Sequence, residues 1–424
     1  MQTNGHISLA HLRWLERTAA SVPRLDPLDT KIRGALDTLS LPKEKLRGRR
    51  IAVTVGSRGI SSVREIARAL CGWLKDQGAQ PFVIPAMGSH GGATAEGQLK
   101  VLEGYGVTPD YIGAEIRSSM DAVCLGETPE GFKAFMDRNA WESDGVLVMN
   151  RVKPHTDFNG KIESGRLKMM AIGMGKIDGA RECHRWSCKY GYEKVIRAVS
   201  SKVIASGKIL CGLAVVENEL HQIAEVRAAR PEEIPAQEEQ TLVLARRLVS
   251  RIPFSKLHLL IVDEMGKNIS GCGMDTKVIG RGVELRPEEA PEIRLIYVRD
   301  LTAESAGNAA GIGLADLMHE RLFNKIDLEK TYINVLTSLN PPMARLPIRL
   351  ASDRQALELA LGALGSPDPP DQRVVWIRNT LDLDRIAISE RLAEETGTLD
   401  GWRLASKVLT PGYDREGNLR PLVQ

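Results

Sequence analysis

The sequence predicts an α/β protein made of two layered α/β domains, each with a mostly parallel sheet. Three observations lead to this prediction. Short apolar runs rich in β-branched residues alternate with segments of helical periodicity, and the alternation starts again near residue 257. The chain of 424 residues is also long enough for two or three domains of ordinary size, each with its own core. We expect the two sheets to face a central cleft.

The first strand and the first helix of this pattern are clearly marked. The run 51–55 (IAVTV) predicts a buried strand, because β-branched residues dominate it. Apolar residues then recur at helical spacing over 60–74, where Ser61 or Ser62 can cap the start and Gly78 can close the end. Together these segments predict one strand-helix unit.

The later elements repeat the same alternation. In chain order they are a strand at 81–85, a helix at 94–102, strands at 145–149 and 208–216, a polar helix at 231–251, and strands at 257–263, 293–298 and 374–377. The stretch 365–370 is rich in Gly and Pro and is predicted to be a loop.

A domain boundary is predicted at the end of the polar helix, where Ile252 and Pro253 break it. The chain then divides into an N-terminal α/β cofactor-binding domain (1–250) and a C-terminal α/β substrate-capping domain (251–390). The tail (391–424) is expected to pack back on the first domain.

The charge balance argues against nucleic-acid and membrane partners. Charged residues make up 26% of the chain and the net charge is only +3, so there is no broad cationic field. No apolar run approaches the ~20 residues of a membrane span, and the first residues lack the basic-then-apolar pattern of a secretory leader. We expect a cytoplasmic protein that binds small anionic molecules.

The cysteines do not form a dense framework. Six are spread over the chain without a Cys-x-x-Cys pair, so reduced thiols are expected. Cys183, His184 and Cys188 are neighbours in sequence, which leaves a zinc site as an alternative. Structural zinc needs four ligands, usually as two pairs, and no second pair follows.

Residues that directly follow the predicted strands carry the most functional information, since open parallel sheets bind ligands beyond the carboxyl ends of their strands. Four segments fall there, namely 56–59 (GSRG), 88–92 (GSHGG), 150–155 and 266–277. The glycines around His90 permit backbone amides to approach a bound group closely. If the sheets face each other, we expect the four segments to converge.

A pattern of basic residues extends the third of these segments. His155 and Lys168 lie in the run PHTDFNGKIESGRLK, and His184 follows sixteen positions after the lysine. A lysine and a histidine near a third basic group can hold a carbonyl-derived adduct, a metal, or both. Together with His90 upstream and Lys277 downstream, these residues make the chain resemble the nickel-pincer-nucleotide lactate racemase family.

The resemblance implies a cofactor and a set of roles. The family uses a pyridinium nucleotide joined to a lysine through a thioamide, with nickel held by two sulfurs, a ring carbon and one histidine. Lys168 and His184 match that lysine and histidine, and Gly165 fits the small residue that approaches the cofactor. His90 and His155 match the acid and base, while Arg58 and Lys277 match the groups that hold the substrate carboxylate.

The implied reaction is inversion at C2 of a 2-hydroxy acid. Its carbon–hydrogen bond is unactivated, so loss of hydride requires an electron sink as well as removal of the hydroxyl proton. Hydride would return to the other face of a transient 2-keto acid. Two histidines, with an unperturbed pKa of about 6.5, suit the proton transfers, and the planar fork of an arginine suits a carboxylate.

Two positions depart from the family pattern. Val55 occurs where family members commonly carry an aspartate, and Gly273-Met274 replaces a Tyr-Gln pair before the substrate lysine. The second change opens space beside the substrate carboxylate. We therefore expect a larger polyhydroxy acid, such as an aldonic or other sugar acid, rather than lactate, and cofactor-loading proteins as further partners.

Two other functions remain open. A conventional NAD(P)-linked 2-hydroxy acid oxidoreductase would also use two α/β domains, but 173–179 (GMGKIDG) is one residue too long for a dinucleotide fingerprint. A non-catalytic sugar-acid-binding or metal-binding protein could retain the same scaffold without its chemistry.

Overall fold

The computed structural model describes residues 9–18, 23–57, 59–156, 158–282, 290–365 and 367–422. These residues form β1 (Leu12–Arg17), β2 (Arg50–Val55), β3 (Gln80–Pro85), β4 (Glu115–Ile116), β5 (Ala122–Glu127), β6 (Lys133–Asp137), β7 (Gly145–Arg151), β8 (Ile209–Glu217), β9 (Ile223–Ala229), β10 (Lys256–Val262), β11 (Glu292–Val298), β12 (Leu317–His319), β13 (Ile348–Leu350), β14 (Val374–Ile377), β15 (Arg385–Ser389) and β16 (Trp402–Leu409).

The α-helices of the described residues are α1 (Leu28–Asp37), α2 (Val63–Asp76), α3 (Ala95–Gly104), α4 (Pro109–Ile112), α5 (Arg138–Glu142), α6 (Arg166–Lys168), α7 (Lys176–Tyr190), α8 (Tyr192–Ala205), α9 (Ile234–Leu248), α10 (Thr276–Ile279), α11 (Glu320–Phe323), α12 (Leu328–Thr337), α13 (Asp353–Ala363) and α14 (Glu390–Ala393). A π-helical turn, Met169–Gly173, follows α6. Every helix in the described part of the chain is too short or too polar to cross a bilayer.

The chain forms two compact units. One spans Pro23–Val249, and the other joins the described residues of Met1–Val22 to those of Ser250–Gln424. Each contains a mostly parallel sheet with helices, which confirms the predicted α/β class. The cleft that the sequence predicts between the two sheets stays a prediction.

The sheet of the Pro23–Val249 unit has six strands in the order β4-β3-β2-β7-β8-β9. All neighbours are parallel except β8 and β9. Its strands β2, β3 and β7 are buried over most of their length, as their apolar runs predict for a sheet covered on both faces. The chain runs outward from β2 to β4 on one side and from β7 to β9 on the other, so the strand order reverses between β2 and β7.

The second sheet has eight strands in the order β13-β12-β11-β10-β14-β15-β1-β16. The five strands from β13 to β14 are parallel, and the three at the other edge are antiparallel. Here the strand order reverses between β10 and β14. The two units therefore share one architectural principle, with a reversal point at the middle of each sheet.

The unit boundaries differ from the predicted domains in two places. The predicted boundary near residue 250 coincides with a unit border, but β1 belongs to the second unit. The tail also joins that unit, because β16 pairs with β1, which in turn pairs with β15. Backbone groups at the edge of β15 need partners, and β1 supplies them although its six residues alternate too weakly to predict a strand.

The individual elements largely match the predicted ones. Strands β2, β3, β7, β8, β10, β11 and β14 and helices α2, α3 and α9 lie within a few residues of their predicted positions. Ser62 occupies the position before α2 without a capping hydrogen bond from its side chain. Gly78 follows α2 with a φ of 81°, which suits a glycine at the end of a helix.

Candidate active site

The loops after β2, β3 and β7 meet the segment 165–173 at the carboxyl edge of the six-stranded sheet. Asn150 donates its side-chain amide to the carbonyl oxygen of Gly165 over 2.7 Å. The amide of Gly88 donates to the carbonyl of Gly173 over 3.0 Å. A Cβ added to Gly56 would lie 3.1 Å from the methyl group of Met169. Three predicted strand-end segments of this unit are thus brought together around one helical segment.

Lys168 lies at the end of α6, and its ammonium nitrogen contacts a histidine. Nζ of Lys168 is hydrogen-bonded to Nε2 of His155, and both side chains are half-buried. The ring of Phe158 lies 4.6 Å from the imidazole of His155 and 5.9 Å from Nζ of Lys168, measured to the ring centroid. The lysine and the histidine therefore form one site, bordered by an aromatic ring.

A buried carboxylate holds the loop that carries His155. Glu163 is 1% exposed and accepts hydrogen bonds from the backbone amides of His155 and Gly160. Arg246 on α9 donates to the same carboxylate over 2.6 Å and to the carbonyl of Gly160 over 2.7 Å. The pair of Glu163 and Arg246 therefore ties the loop that carries His155 to α9, a helix far away in sequence.

A second buried carboxylate holds the start of the Lys168 segment. Glu238 accepts from the amides of Arg166 and Leu167 over 2.8 and 3.0 Å, and from Nε of Arg166 over 3.1 Å. A Cβ on Gly165 would lie 2.3 Å from this carboxylate, so a side chain there would displace it. Gly165 is thus required for packing around the segment, a reason that sequence spacing does not reveal.

The π-helical turn directly after Lys168 also depends on a glycine. A Cβ on Gly173 would lie 2.6 Å from the carbonyl oxygen of Ala86, which closes the approach between this turn and the end of β3. Single π turns inside helices are often found at functional sites. Here the π-helical turn begins at Met169, directly after Lys168.

His184 belongs to the same unit and is linked to His155 through two aromatic rings. It is exposed on α7, and its Nδ1 lies 3.0 Å from the hydroxyl of Tyr192. Tyr192 stacks on Phe158, with centroids 4.9 Å apart and 18° between the planes. The aromatic chain, defined as His155, Phe158, Tyr192 and His184, therefore runs unbroken along the site.

Cys183, the residue before His184, is close enough to Lys168 for the lysine's charge to act on the pKa of its thiol. Burial raises the pKa of the Cys183 thiol to about 12, and the charge of Lys168 acts on it in the opposite direction. A thiol with such a pKa is protonated at neutral pH, so Cys183 is a poor nucleophile in the metal-free protein.

An open cavity of ≈ 740 Å³ lies beside the aromatic chain. Phe158 and Tyr192 form part of its lining, together with Tyr190 and the charged side chains of Glu193 and Arg197. Its volume falls within the range of small-molecule sites. Two members of the aromatic chain, Phe158 and Tyr192, therefore border a space large enough for an organic ligand.

His90 lies in the loop after β3 and contacts the loop after β2. Its Nδ1 is 2.5 Å from Oγ of Ser57, and the ring is exposed. The side-chain amide of Gln98 donates to the carbonyls of Gly88 and His90 over 2.9 and 3.2 Å. Gly91 has a φ of 66° and a Cβ there would lie 2.7 Å from backbone atoms of α3, so only glycine fits.

A fully buried lysine supports the His90 loop from below. Nζ of Lys176 forms an ion pair with Asp137 over 2.9 Å and donates to the carbonyl of Pro85 over 2.5 Å and to Oε1 of Gln98 over 3.1 Å. Burial lowers the pKa of this lysine, and the charge of Asp137 opposes that shift. Lys176 thus joins the end of β3, the end of β6 and the helix that holds His90.

Two sequence-predicted residues are not placed in this cluster. Arg58 lies outside the described residues. Lys277 lies on α10 in the other unit, where it is half-buried and its amide donates to Asp275 over 2.9 Å. The structure therefore places His90, His155, Gly165, Lys168 and His184 in the Pro23–Val249 unit, and the five roles stay predictions.

Several residues at the site were not predicted from the sequence. Ser57, Phe158 and Tyr192 touch the histidines, and Glu163 and Lys176 hold the loops. The position of Ser57 in a strand-end segment could have identified it from the sequence. No sequence pattern identifies the other four, since single aromatic or charged residues at their positions usually belong to cores or solvated surfaces.

Comparisons with known proteins found similarity to solved structures but not to known sequences. No protein-family model matches the chain, and no curated protein matches its sequence. A solved structure of a Thermotoga maritima protein is similar at a TM-score of 0.49 and 16% identity, covering 65% of this chain and 71% of that chain. The lactate racemase apoprotein from Thermoanaerobacterium thermosaccharolyticum is similar at a TM-score of 0.46 and 13% identity, covering 90% and 86%. At these values neither likeness assigns an activity.

Proposed function

We propose that the protein is a cytoplasmic racemase or epimerase that inverts C2 of a 2-hydroxy acid. The observation that carries this proposal is the contact of Lys168 with His155, linked through the aromatic chain to His184, at the reversal point of the six-stranded sheet. Ligands of open parallel sheets bind at such points. A second histidine, His90, follows β3, which β2 separates from β7 in the sheet, and it is the second member of the proposed acid-base pair.

The residues present fit a lysine-linked nickel-pincer nucleotide. Among the described residues, no three His, Cys, Asp or Glu side chains are grouped to hold a metal ion, so a metal here needs ligands from a bound organic group. Lys168 offers a half-buried amine for a covalent link, and His184 offers one imidazole. Reversible acceptance of hydride from C2 is the chemistry that such a group supplies when bound.

The protein's own part in the reaction is proton transfer and orientation. His90 and His155 exchange the hydroxyl proton with the substrate, on opposite faces of C2. Phe158 covers His155 and Lys168 and limits the access of water to them. Tyr192 contacts Nδ1 of His184 and would orient the ring if His184 held the metal, as outer partners of metal-bound histidines do.

The substrate is proposed to be a polyhydroxy acid rather than lactate. Arg58 and Lys277 are the proposed partners of its carboxylate, and the small pair Gly273-Met274 before Lys277 leaves space for a longer chain. The ≈ 740 Å³ cavity beside Phe158 and Tyr192 is also larger than lactate needs. Dedicated proteins that load the cofactor are proposed as partners.

Mass spectrometry with nickel analysis tests the proposal. The protein is produced in a host that makes the pincer nucleotide, and the tryptic peptides are searched for an adduct. An adduct on the Lys168 peptide with near-stoichiometric nickel is expected. Lys168→Arg should lose both, whereas Lys161→Arg, an exposed lysine of the same loop, should keep both.

A variant of the proposed nickel ligand separates the two attachments. His184→Ala should retain the adduct on Lys168 and lose most of the nickel. Unmodified Lys168 without nickel in the wild-type protein, produced in a host where a known pincer enzyme is loaded, contradicts the proposal.

A further inference from the structure

Ser57 follows the buried strand β2 and contacts His90, which lies on the loop after the neighbouring strand. Its Oγ lies 2.5 Å from Nδ1 of the imidazole. Tyr105 donates its phenolic hydroxyl to the carbonyl oxygen of Ser57 and fixes the backbone at that residue. The backbone of Ser57, at the end of β2, is thus held by Tyr105, the residue that follows α3.

The backbone of the loop that carries His90 is held by a residue of α3. Gln98 donates to the carbonyls of Gly88 and His90, and Lys176 holds the side chain of Gln98 from below. Gly91 and Gly97 approach so closely that a Cβ on Gly97 would lie 1.9 Å from the carbonyl oxygen of Gly91. The backbone segments that carry Ser57 and His90 are thus each held by neighbouring residues, and the two side chains meet between them.

The direction of this hydrogen bond determines which ring nitrogen carries the proton. A serine hydroxyl has a single hydrogen that rotates towards an acceptor, and a neutral imidazole has one donor and one acceptor nitrogen. The structure places Oγ of Ser57 against Nδ1 of His90, and this contact permits either atom to donate. When the hydroxyl donates to Nδ1, the imidazole proton must reside on Nε2.

We propose that Ser57 is a positioning residue that holds neutral His90 in the tautomer with its proton on Nε2. The ring then presents an N–H donor on the side opposite to Ser57. The consequence for catalysis rests on the proposed function: His90 begins one direction of the inversion as the proton donor. His155, whose Nε2 faces the amine of Lys168, begins it as the proton acceptor.

Nitrogen NMR of the histidine side chains tests the tautomer without cofactor or substrate. The protein is labelled with ¹⁵N-histidine, and the signals of His90 are identified among the eight histidines by their loss in His90→Gln. Wild-type protein, at a pH where His90 is neutral, should show protonated Nε2 and unprotonated Nδ1. Ser57→Ala should give a mixture of the two tautomers, and Ser57→Thr should restore the wild-type pattern.

Ser62→Ala is the matched control. This serine is exposed, lies five residues later and makes no capping hydrogen bond with its side chain, so its loss should leave the His90 signals unchanged. A wild-type His90 with its proton on Nδ1, or a tautomer that Ser57→Ala does not alter, overturns the proposal.

Kinetics of loaded enzyme then test the consequence. Ser57→Ala should lower kcat about 10- to 100-fold, the usual range for partners that orient a catalytic histidine, with KM changed less than about threefold. Ser57→Thr should recover most of kcat. If loaded wild-type enzyme epimerises nothing, the proposed function fails, while the NMR result still decides the role of Ser57.

Discussion

The reversal points of the two sheets are built alike but filled with different chemistry. In the Pro23–Val249 unit, the loops after β3 and β7 present His90 and His155, and Lys168 on α6 contacts His155; all three are exposed or half-buried. In the other unit, the corresponding strand ends carry Asp263 and Arg299, which join buried Asp353 in a network of opposite charges. The histidines of the first unit are side chains that can exchange protons, whereas the charged groups of the second unit are paired with one another.

Both carboxylate oxygens of Asp353 in this network accept hydrogen bonds. Asp353 accepts from the hydroxyl of Tyr297 over 2.6 Å, from Nε and Nη2 of Arg299 over 3.0 and 2.8 Å, and from the amide of Leu419 over 2.7 Å. Burial raises the pKa of Asp353, but the hydrogen bonds and charge of Arg299, together with the hydrogen bonds from Tyr297 and Leu419, outweigh burial and lower the pKa. The carboxylate therefore stays charged and structural. A polar strand end at a reversal point is thus not by itself evidence of a site.

The largest expected effect is on activity and concerns the first reversal point. His155→Gln should lower kcat about 10²- to 10⁴-fold, because proton transfer by a positioned histidine contributes that much. The thermal midpoint should change little, since the ring is half-buried and the loop is held by Glu163 through the backbone. Steady-state kinetics and calorimetry on one preparation check both statements. A variant that keeps full activity would remove His155 from the mechanism.

The second effect is on stability and concerns the other reversal point. Asp353→Asn leaves the buried Arg299 with Asp263 as its remaining charge partner among the described residues, so the unit should lose about 3–5 kcal/mol of stability. Glu394→Gln, which breaks an exposed pair with Arg391, should cost less than about 1 kcal/mol. Calorimetry should show a large drop for the first variant and almost none for the second. Equal drops would show that the network is not a structural element.

A moderate effect tests the close approach at the π-helical turn. Gly173→Ala places a methyl group 2.6 Å from the carbonyl oxygen of Ala86, so the turn must shift at a cost of about 1–3 kcal/mol. Gly34→Ala, on α1 with nothing within 4 Å of its added Cβ, should stabilise by about 0.5–1 kcal/mol. Urea unfolding followed by hydrogen exchange in each segment distinguishes them. A neutral Gly173→Ala would contradict the packing.

The smallest effect concerns the thiols. Burial raises the pKa of Cys71, Cys183 and Cys211 to about 12, so about one molecule in ten thousand carries each thiolate at pH 8. Cys124 and Cys188 are exposed. Iodoacetamide at pH 8 should label the two exposed cysteines of native protein and reach the buried ones only in denaturant. Rapid labelling of Cys183 in native protein would contradict its burial beside Lys168.

The parallel strands were predictable because burial on both faces requires continuous apolar runs such as 51–55 and 145–149. Strands β1 and β16 were not, since their pairing depends on an edge formed by residues far away in sequence. His90 and His155 could be selected from their strand-end positions, and Lys168 and His184 from the resemblance to the racemase family. Ser57 and Tyr192 could not be paired with them, because contact across loops depends on the folded backbone.

The most direct test of the proposed activity follows the hydrogen at C2. Loaded enzyme is incubated in ordinary water with one epimer of an aldonic acid that carries deuterium at C2, and the products are followed by NMR. The proposal predicts both epimers with deuterium retained at C2, because a hydride that leaves and returns does not mix with solvent protons. A second epimer carrying solvent hydrogen, or no second epimer from fully loaded enzyme with any 2-hydroxy acid of a broad panel, would contradict it.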